Sequence, residues 1–327
     1  MLLPSPPQHI FAPLDHSSHS RAALSVARLL ASGPDTALTT AHALPEWHPA
    51  LRDALFPYAA LGEDEVALLD ELSKVAHAQL VERLRLSEDE ASALRVLPSG
   101  GREAIAAELR RHDVDLVVMG AFGESGVRPE ALGSTAAHML RHVTQPLLLV
   151  REHSVLGGPQ AFQKILCAVD LSQRSRDVVA HALALALHTG AEMELLHVFP
   201  DPLTHDTNQL LGSALSFDPA HALTRAKDKI EALFERACAD LEIPLAERTR
   251  AARCLKTRRT LIGDPAQTIV THADAQGADL VVVGTRNLQH DPSSGLGRVA
   301  WHVSRACPTH VLCVPLERKP RLFEERA

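Results

Sequence analysis

Three glycines and a serine follow a short apolar run near the middle of the chain, in the spacing G-x2-G-x9-G-S. They are Gly120, Gly123, Gly133 and Ser134, and the run before them is Leu116 to Met119. Glycine lets backbone N–H groups approach a phosphate closely and allows positive φ. The apolar pattern after Ser134 predicts a helix, whose free N-terminal amides and dipole favour an anion. The spacing therefore predicts a phosphate site, and a glycine-rich turn that only closes a βα unit is the alternative.

The two halves of the chain repeat each other. The segment from Ala12 to Arg21 recurs from Cys167 to Arg176 at an offset of 155 residues, and a later block recurs at an offset of 164. Equivalent pairs are Asp15 and Asp170, His42 and His197, Gly120 and Gly284, Gly133 and Gly297, His138 and His302. A period this long indicates tandem domains rather than a solenoid of short repeats. We expect one domain over residues 1–155 and a second over residues 156–327.

Each half alternates apolar runs with stretches of helical spacing. The first-half runs that predict strands are 10–14, 38–44, 94–97, 116–119 and 146–150, and the second half repeats this order from Ile165 to Pro315. A long amphipathic helix is predicted from Val66, Leu69, Leu72 and Val75. Nearly continuous apolar strands between helices are typical of parallel sheets. The predicted fold class is α/β, with two tandem Rossmann-like domains, each a five-stranded parallel sheet with helices on both faces.

In such sheets ligands bind beyond the carboxyl ends of the strands, where the strand order reverses. Asp15, Ala43 and Gly120 each lie at such an end. The three positions and the glycine loop therefore form one candidate site.

These motifs resemble the universal stress protein family, and two copies in one chain resemble its tandem members. The resemblance covers about residues 8–152 and 162–316, which is nearly the whole chain. It implies a five-stranded parallel sheet and, with the full glycine motif, binding of ATP, with or without Mg²⁺. Asp15 is then expected to contact adenine or ribose, and the Ala43 backbone the adenine edge. Gly120, Gly123, Gly133 and Ser134 would hold ribose and phosphates, and Thr135 would add a hydroxyl.

The second half departs from the motif at its phosphate end. Gly284 and Gly297 remain, but Asn287 replaces the second glycine and Arg298 replaces the hydroxyl residue. Asn tolerates positive φ. The Arg298 guanidinium could pair with a phosphate or could fill the pocket as an internal cation. Asp170 and Val198 still match the adenine positions. We expect a nucleotide in the first half, and we leave the ligand of the second, degenerate pocket open.

Composition limits the other functions. The chain has 327 residues, 46% of them hydrophobic and 3% aromatic, and a formal net charge of −7. A mildly acidic chain with few aromatic residues does not favour binding to nucleic acid or to an anionic membrane. No apolar stretch approaches the roughly 20 residues of a membrane helix, and no signal peptide is evident. Five cysteines without C-x-x-C spacing favour reduced thiols in the cytoplasm.

Enzymatic motifs are absent from the sequence. There is no G-x-x-x-x-G-K-[ST] loop, G-x-S-x-G elbow or H-E-x-x-H helix. A hydrolase would need a base or a metal at the γ-phosphate, so we expect at most a slow ATPase. The leading hypothesis is a stress-response regulator or binding protein that uses ATP as a ligand. The alternatives are a nucleotide-independent ligand- or partner-binding module and a slow ATP hydrolase.

Weaker signals have ordinary explanations that we prefer. His138 and His142 have metal-compatible spacing, but no carboxylate or cysteine cluster completes a site. His16 and His19 lie near the predicted pocket, and we interpret them, like His205 and Asp206, as loop residues. A basic run near the third strand of the second half suits a sheet edge, with an anionic partner as the alternative. This run consists of Arg248, Arg250, Arg253, Lys256, Arg258 and Arg259. Separately, Cys167, Cys307 and Cys313 are predicted to be core residues.

The resemblance also implies that the halves pack about a pseudo-twofold axis, as separate subunits do in single-domain members. The two fifth strands are the predicted contact, because an exposed sheet edge seeks pairing. They are Pro146 to Val150 and Val311 to Val314. We expect an intramolecular pair of this kind, with an unidentified protein partner and further homodimerisation left open.

Overall fold

The computed structural model describes residues 7–33, 36–45, 63–123, 132–152, 162–200, 219–243, 245–285 and 297–315. The strands are β1 His9–Pro13, β2 Ala37–Ala43, β3 Arg95–Leu97, β4 Leu116–Gly120, β5 Leu147–Val150, β6 Lys164–Ala168, β7 Glu192–Phe199, β8 Leu255–Ile262, β9 Leu280–Thr285 and β10 His310–Pro315. The helices are α1 Ser18–Leu30, α2 Glu63–Leu84, α3 Glu88–Ala93, α4 Gly101–Leu109, α5 Ser134–His142, α6 Ser175–Thr189, α7 Pro219–Asp240, α8 Leu245–Cys254, α9 Pro265–Gln276 and α10 Arg298–Ala306. The predicted alternation of strand and helix, and the α/β class, are confirmed.

The strands form one sheet in the order β3-β2-β1-β4-β5-β10-β9-β6-β7-β8. All neighbours are parallel except β5 and β10, which pair antiparallel. This pair joins the two halves, so the predicted contact between the fifth strands is confirmed. Leu148 lies opposite Leu312, and these two residues are equivalents in the repeat. The pseudo-twofold axis therefore passes through this pair.

Two hydrophobic cores cover the two faces of the sheet. Alternate residues of β1 illustrate the division, because Ile10 and Ala12 belong to one core and Phe11 to the other. The equivalent helices α1 and α6 pack into the first core, whereas α5 and α10 pack into the second. Equivalent helices thus share a face, and the pseudo-twofold axis runs perpendicular to the sheet.

The helix α2 buries a different stripe from the predicted one. Val66 is 66% exposed and Val75 is 46% exposed, whereas Leu80 and Leu84 near its C-terminus are buried. The spacing of apolar residues in the N-terminal part predicted the helix correctly. Its fully buried side chains, however, lie toward its C-terminal end. The short helix α3 was not predicted. It begins at a capping box in which the Ser87 side chain and Glu90 bond reciprocally.

The basic run lies partly on β8, at one end of the strand order, which confirms the interpretation of a sheet edge. Its cations face carboxylates of neighbouring elements: Lys256 Nζ is 3.5 Å from Glu192, Arg259 Nε is 2.9 Å from Glu194, and Arg258 pairs with Glu231. The run is thus largely neutralised within the chain. No helix among the described residues is long and apolar enough to cross a membrane.

Candidate functional site

A cavity of about 480 Å³ lies at the carboxyl ends of β1, β2 and β4; we call it the first pocket. Its lining includes every residue that the sequence placed in the first-half site, namely Asp15, Ala43, Gly120, Gly123, Gly133, Ser134 and Thr135. These residues come from four separate segments of the chain. Because parallel strands end at the same edge of a sheet, the fold brings them together at one opening.

Asp15 follows β1, and the start of α1 holds its carboxylate in place. Oδ1 accepts hydrogen bonds from the Ser17 backbone N–H at 2.9 Å, the Ser17 hydroxyl and the Ser20 hydroxyl at 2.7 Å. The backbone N–H of Asp15 in turn donates to Ser20 Oγ at 2.8 Å. Among the described residues no hydrogen bond is made to Oδ2, which points toward the glycine loop and lies 3.0 Å from where a Cβ on Gly123 would be. The side chain is therefore fixed with one oxygen available to a ligand donor.

The glycines of the loop are required by close packing. None of Gly120, Gly123 and Gly133 is among the positive-φ residues, so the loop does not use the conformational freedom that glycine allows. A Cβ on Gly120 would lie 2.9 Å from His19 Cβ, and one on Gly133 would lie 3.1 Å from the Gly123 backbone nitrogen. The backbone segments meet too closely for side chains, and this leaves backbone atoms as the floor of the pocket.

Two helices begin at the rim of the first pocket without a side-chain cap. The N-cap of α4 is Gly100 and that of α5 is Gly133. Glycine has no side chain, so neither residue offers a side-chain acceptor to the N–H groups of the first helical turn. Ser134 and Thr135 add two hydroxyls at the start of α5, and both line the cavity. Uncapped N-terminal amides with the positive end of the helix dipole favour an anion. This end of the pocket has the chemistry of a phosphate site.

Three histidines lie in or next to the first pocket, and of these His42 lines it. His42 lies on β2 and its Nδ1 is 2.7 Å from the Leu14 carbonyl oxygen, so Nδ1 carries the proton. His16 packs edge-on against His42 with ring centroids 5.3 Å apart. His19 contacts the Phe122 ring at 5.0 Å, and its Nδ1 accepts from the Glu152 backbone N–H. His16 lies in the loop before α1, as expected, whereas His19 lies in the first turn of α1, so the interpretation of His19 as a loop residue is wrong.

Sequence reasoning did not single out Phe122 and Arg151. Phe122 lies between the first two glycines of the motif and lines the first pocket. The Arg151 guanidinium packs over its ring at 4.5 Å and is buried where the two halves meet. Burial lowers the pKa of Arg151 to about 10, so the group stays charged at neutral pH. A single arginine after β5 gives no pattern in the sequence, and only the strand order shows its position.

Arg151 is held by the second half of the chain. Its Nη2 donates to the backbone carbonyl of Ser304 and, at 3.4 Å, to that of Arg305, both in the last turn of α10. Its backbone N–H donates to His310 Nδ1 at 3.1 Å. A cation is favourable at a helix C-terminus because it faces the negative end of the dipole. The first pocket is thus tied to α10 through Phe122 and Arg151.

A second cavity of about 570 Å³ occupies the equivalent place in the second half; we call it the second pocket. Asp170, Val198, Gly284, Gly297 and Arg298 line it, whereas Asn287 lies outside the described residues. The serine network of the first half is repeated, since Asp170 Oδ1 accepts from Ser172 N–H at 2.9 Å and Ser175 Oγ at 2.6 Å. Burial alone would raise the pKa of Asp170, but these hydrogen bonds outweigh it and lower that pKa.

Arg298 does not fill the second pocket. Its side chain is 75% exposed, and its Nη2 lies 3.7 Å from Asp264 Oδ2 at the rim. The expectation of an internal cation inside the cavity is therefore wrong. The cause is local, because Asp264 is the N-cap of α9 and provides a carboxylate on the outer side of the rim.

The remaining predicted residues are structural in the described part of the chain. His138 and His142 stack at 4.2 Å, and no group of three metal-ligating side chains occurs among the described residues. Burial and the neighbouring His142 lower the pKa of His138. Cys167, Cys307 and Cys313 are buried, as predicted. His205 and Asp206 lie outside the described residues.

Comparisons with known proteins agree on the family. The family model described as the universal stress protein family matches residues 7–151 and again residues 161–315. Universal stress protein YxiE of Bacillus subtilis is 28% identical over 153 residues, which is 47% of this chain and 99% of that protein.

Solved structures of similar fold cover nearly the whole chain. A universal stress protein from Archaeoglobus fulgidus matches with a TM-score of 0.59 and 16% identity, over 94% of this chain and 98% of that one. A functionally unknown protein from Pseudomonas aeruginosa PAO1 matches with a TM-score of 0.55 and 18% identity, over 97% and 94% of the two chains. At this identity the two structures speak for the fold alone. The double match to the family model decides the identity: the chain belongs to the universal stress protein family and contains two of its domains in tandem.

Proposed function

We propose that this universal stress protein binds ATP in its first pocket and serves in the stress response as a regulator or binding protein. The supporting observation is the convergence of all seven predicted residues on one cavity. Under this proposal the nucleotide acts as a ligand that biases the conformation or the partner contacts of the chain. The partner itself is left open.

The nucleoside end of the pocket suits adenosine. The fixed Asp15 carboxylate offers Oδ2 to a ribose hydroxyl or an adenine N–H, because an ionised carboxylate only accepts hydrogen bonds. Ala43 ends β2 and presents its backbone to the cavity, as Met119 and Ile105 present apolar surface. An aromatic base buried among apolar side chains with a few fixed polar groups is the usual design of a small-molecule site.

The phosphate end suits the triphosphate. The uncapped start of α5, its Ser134 and Thr135 hydroxyls and the Gly123 backbone N–H together supply neutral donors. A Cβ on Gly133 would occupy this cradle, being 3.1 Å from Gly123 N. Mg²⁺ would arrive with the phosphates, since it is usually held by them and by one or two carboxylates.

The lining offers little for hydrolysis. Asp15 is engaged by Ser17 and Ser20 through Oδ1, and Glu103 is paired with Arg102 at 3.0 Å. Neither carboxylate is placed as a free general base beside the anion end. Any ATPase activity is therefore expected to be slow. The free thiols of the cysteines are consistent with a reducing compartment, which supports a cytoplasmic location as part of the proposal.

The test is to measure bound nucleotide directly. Freshly purified protein is denatured with acid, the released adenine nucleotide is quantified per chain by chromatography, and the emptied protein is titrated with ATP by calorimetry. We expect about one nucleotide per chain, lost in Gly133→Val and retained in the matched variant Gly297→Val. Thermal unfolding of both variants checks that they fold. No nucleotide and no titratable affinity in the wild-type protein would refute ATP binding and favour a nucleotide-independent binding module.

Phosphate release distinguishes a ligand from a substrate. If the chain is a slow hydrolase, release of phosphate from ATP falls together with binding in Gly133→Val and Asp15→Ala. Release that is unchanged in both variants comes from a contaminant or another site.

A further inference from the structure

The second pocket keeps the polar groups at one end of the first pocket and changes those at the other. Its inner end keeps the carboxylate of Asp170 with the same two serine donors. It also keeps a histidine whose Nδ1 bonds to the backbone carbonyl before that aspartate, His197 to Val169 at 2.8 Å, as His42 bonds to Leu14. The hydrogen bonds of the aspartate and the histidine at the end that would bind the nucleoside in the first pocket are thus repeated in the second.

At the anion end α10 still begins at an uncapped glycine, Gly297, but the opposite helix start now carries a carboxylate of the chain itself. The helix α9, which corresponds to α4, has Asp264 as its N-cap where α4 has Gly100. The Asp264 carboxylate accepts from Gln267 N–H at 2.9 Å and so occupies the helix N-terminus. The next residue is Pro265, which has no N–H, whereas the N–H of its equivalent Gly101 donates to the Leu44 carbonyl at 3.0 Å. A fixed carboxylate stands where the first pocket presents an uncapped helix.

The donors on the opposite rim have also changed. Ser134 and Thr135 of α5 correspond to Arg298 and Val299 of α10, so both hydroxyls are gone. The one cation that replaces them is 75% exposed and faces Asp264 at 3.7 Å. An incoming phosphate would have to compete with Asp264 for Arg298 and would meet the repulsion of that carboxylate.

The body of the second pocket is apolar and large enough for a small molecule. Its volume of about 570 Å³ lies within the usual range for ligand sites of roughly 300–1,000 Å³. Val178 and Leu196 line it where the first half has the smaller Ala23 and Ala41. A ligand with an apolar body and a hydrogen-bond donor directed to Asp170 matches the described lining of this part of the cavity.

We propose that the second pocket binds an uncharged, hydroxyl-bearing ligand with a flat apolar body, of the nucleoside class, and excludes nucleoside phosphates. The choice of the nucleoside class rests on the proposed function of the first pocket, because the inner ends of the two pockets match. The tandem chain then has two sites that differ in the ligand charge they accept. Asp264 is the residue that makes the second site reject phosphates.

Adenosine and ATP are the probes, used with the full-length chain. In Gly133→Val, which blocks the first pocket, calorimetry is expected to show one site for adenosine and at least tenfold weaker binding of ATP. The same adenosine site is expected in the wild-type protein saturated with ATP, measured by equilibrium dialysis, so the test does not depend on one variant folding. It is lost in Gly297→Val.

A gain-of-function variant tests the assigned cause. Replacing Asp264→Gly together with Pro265→Gly gives α9 the first-half sequence, and we expect ATP affinity of the second pocket to rise at least tenfold while adenosine affinity changes less than threefold. Equal binding of ATP and adenosine to the unaltered second pocket, or no adenosine binding in either format, overturns the proposal. Failure of the proposed function is seen separately, as absence of ATP from the wild-type first pocket, and leaves the adenosine result readable.

Discussion

Replacing Arg151 tests how much the junction of the two halves depends on one buried cation. In Arg151→Ala, α10 loses a charged donor to its last carbonyls, and Phe122 loses the guanidinium above its ring. We expect a less stable chain and, because Phe122 lines the first pocket, weaker nucleotide binding as well.

The magnitude follows from opposing contributions. A hydrogen bond from a charged donor contributes about 1.5–3 kcal/mol, a desolvated cation–π contact about 2 kcal/mol and the buried methylene stem about 2 kcal/mol. Against these stands the cost of burying the charge: burial lowers the pKa of Arg151 from 12.5 to about 10, which corresponds to about 3 kcal/mol. The net expectation is a fall of about 3 kcal/mol in the free energy of unfolding. Arg151→Met, which keeps the stem volume and removes the charge, should cost only about 1 kcal/mol.

The assay is urea unfolding followed by circular dichroism and by tryptophan fluorescence. Arg141→Ala is the matched control, since Arg141 lies 4.9 Å over Trp301 across the same junction but is exposed, and its loss should cost less than about 1 kcal/mol. An Arg151→Ala variant as stable as the wild-type chain, or no more affected than Arg141→Ala, would refute this account of the junction.

Three further outcomes follow from other buried groups. Burial lowers the pKa of His181 to about 4, so on acidification the unfolded chain binds a proton before the folded chain does. The free energy of unfolding should therefore fall by up to about 3 kcal/mol as pH drops from 7 to 4. His181→Val, which copies the first-half residue Val26, should remove this fall when urea unfolding is measured at several pH values. Burial raises the pKa of all five cysteine thiols, but four are almost inaccessible and Cys254 is the more exposed fifth. A thiol reagent at pH 8 should therefore modify Cys254 first, and Cys254→Ser should remove that fast phase; equally rapid modification of all five would contradict the packing. Gly120→Ala should cost about 1–3 kcal/mol by overpacking against His19, with unchanged thermal stability as the opposing result.

Much of the fold could be predicted because the repeat shows each pattern twice. The strands are apparent from apolar runs, and the positions of Asp15, Ala43 and Gly120 follow from the rule that ligands bind at the carboxyl ends of parallel strands. The contact of β5 with β10 was implied by the resemblance to the family and by the tendency of a sheet edge to pair. Sequence reasoning ascribed the glycines to a close approach of the backbone to a phosphate, yet they are also needed for contacts such as that of Gly120 with His19, 101 residues apart. Such a contact depends on how α1 packs beside β4, which local pattern does not contain.

The residues that sequence reasoning missed act across long separations. Arg151 meets Ser304 and His310, and neither pairing leaves a mark near Arg151 in the sequence. Asp264 was missed for a different reason. It was visible as a helix cap signal, an Asp before a Pro, but its meaning comes only from comparison with Gly100 in the equivalent helix of the other half.

The fusion of two domains across β5 and β10 also changes what evolution can do with their junction. In a dimer of identical chains, every residue beside the axis must serve on both sides of it. Here Arg151 corresponds to Pro315 and His310 to Pro146 in the repeat. Proline has no N–H, so the hydrogen bond from Arg151 to His310 has no mirror image at the opposite end of the junction. Covalent linkage released the two ends from self-complementarity, and each has since been free to acquire its own chemistry.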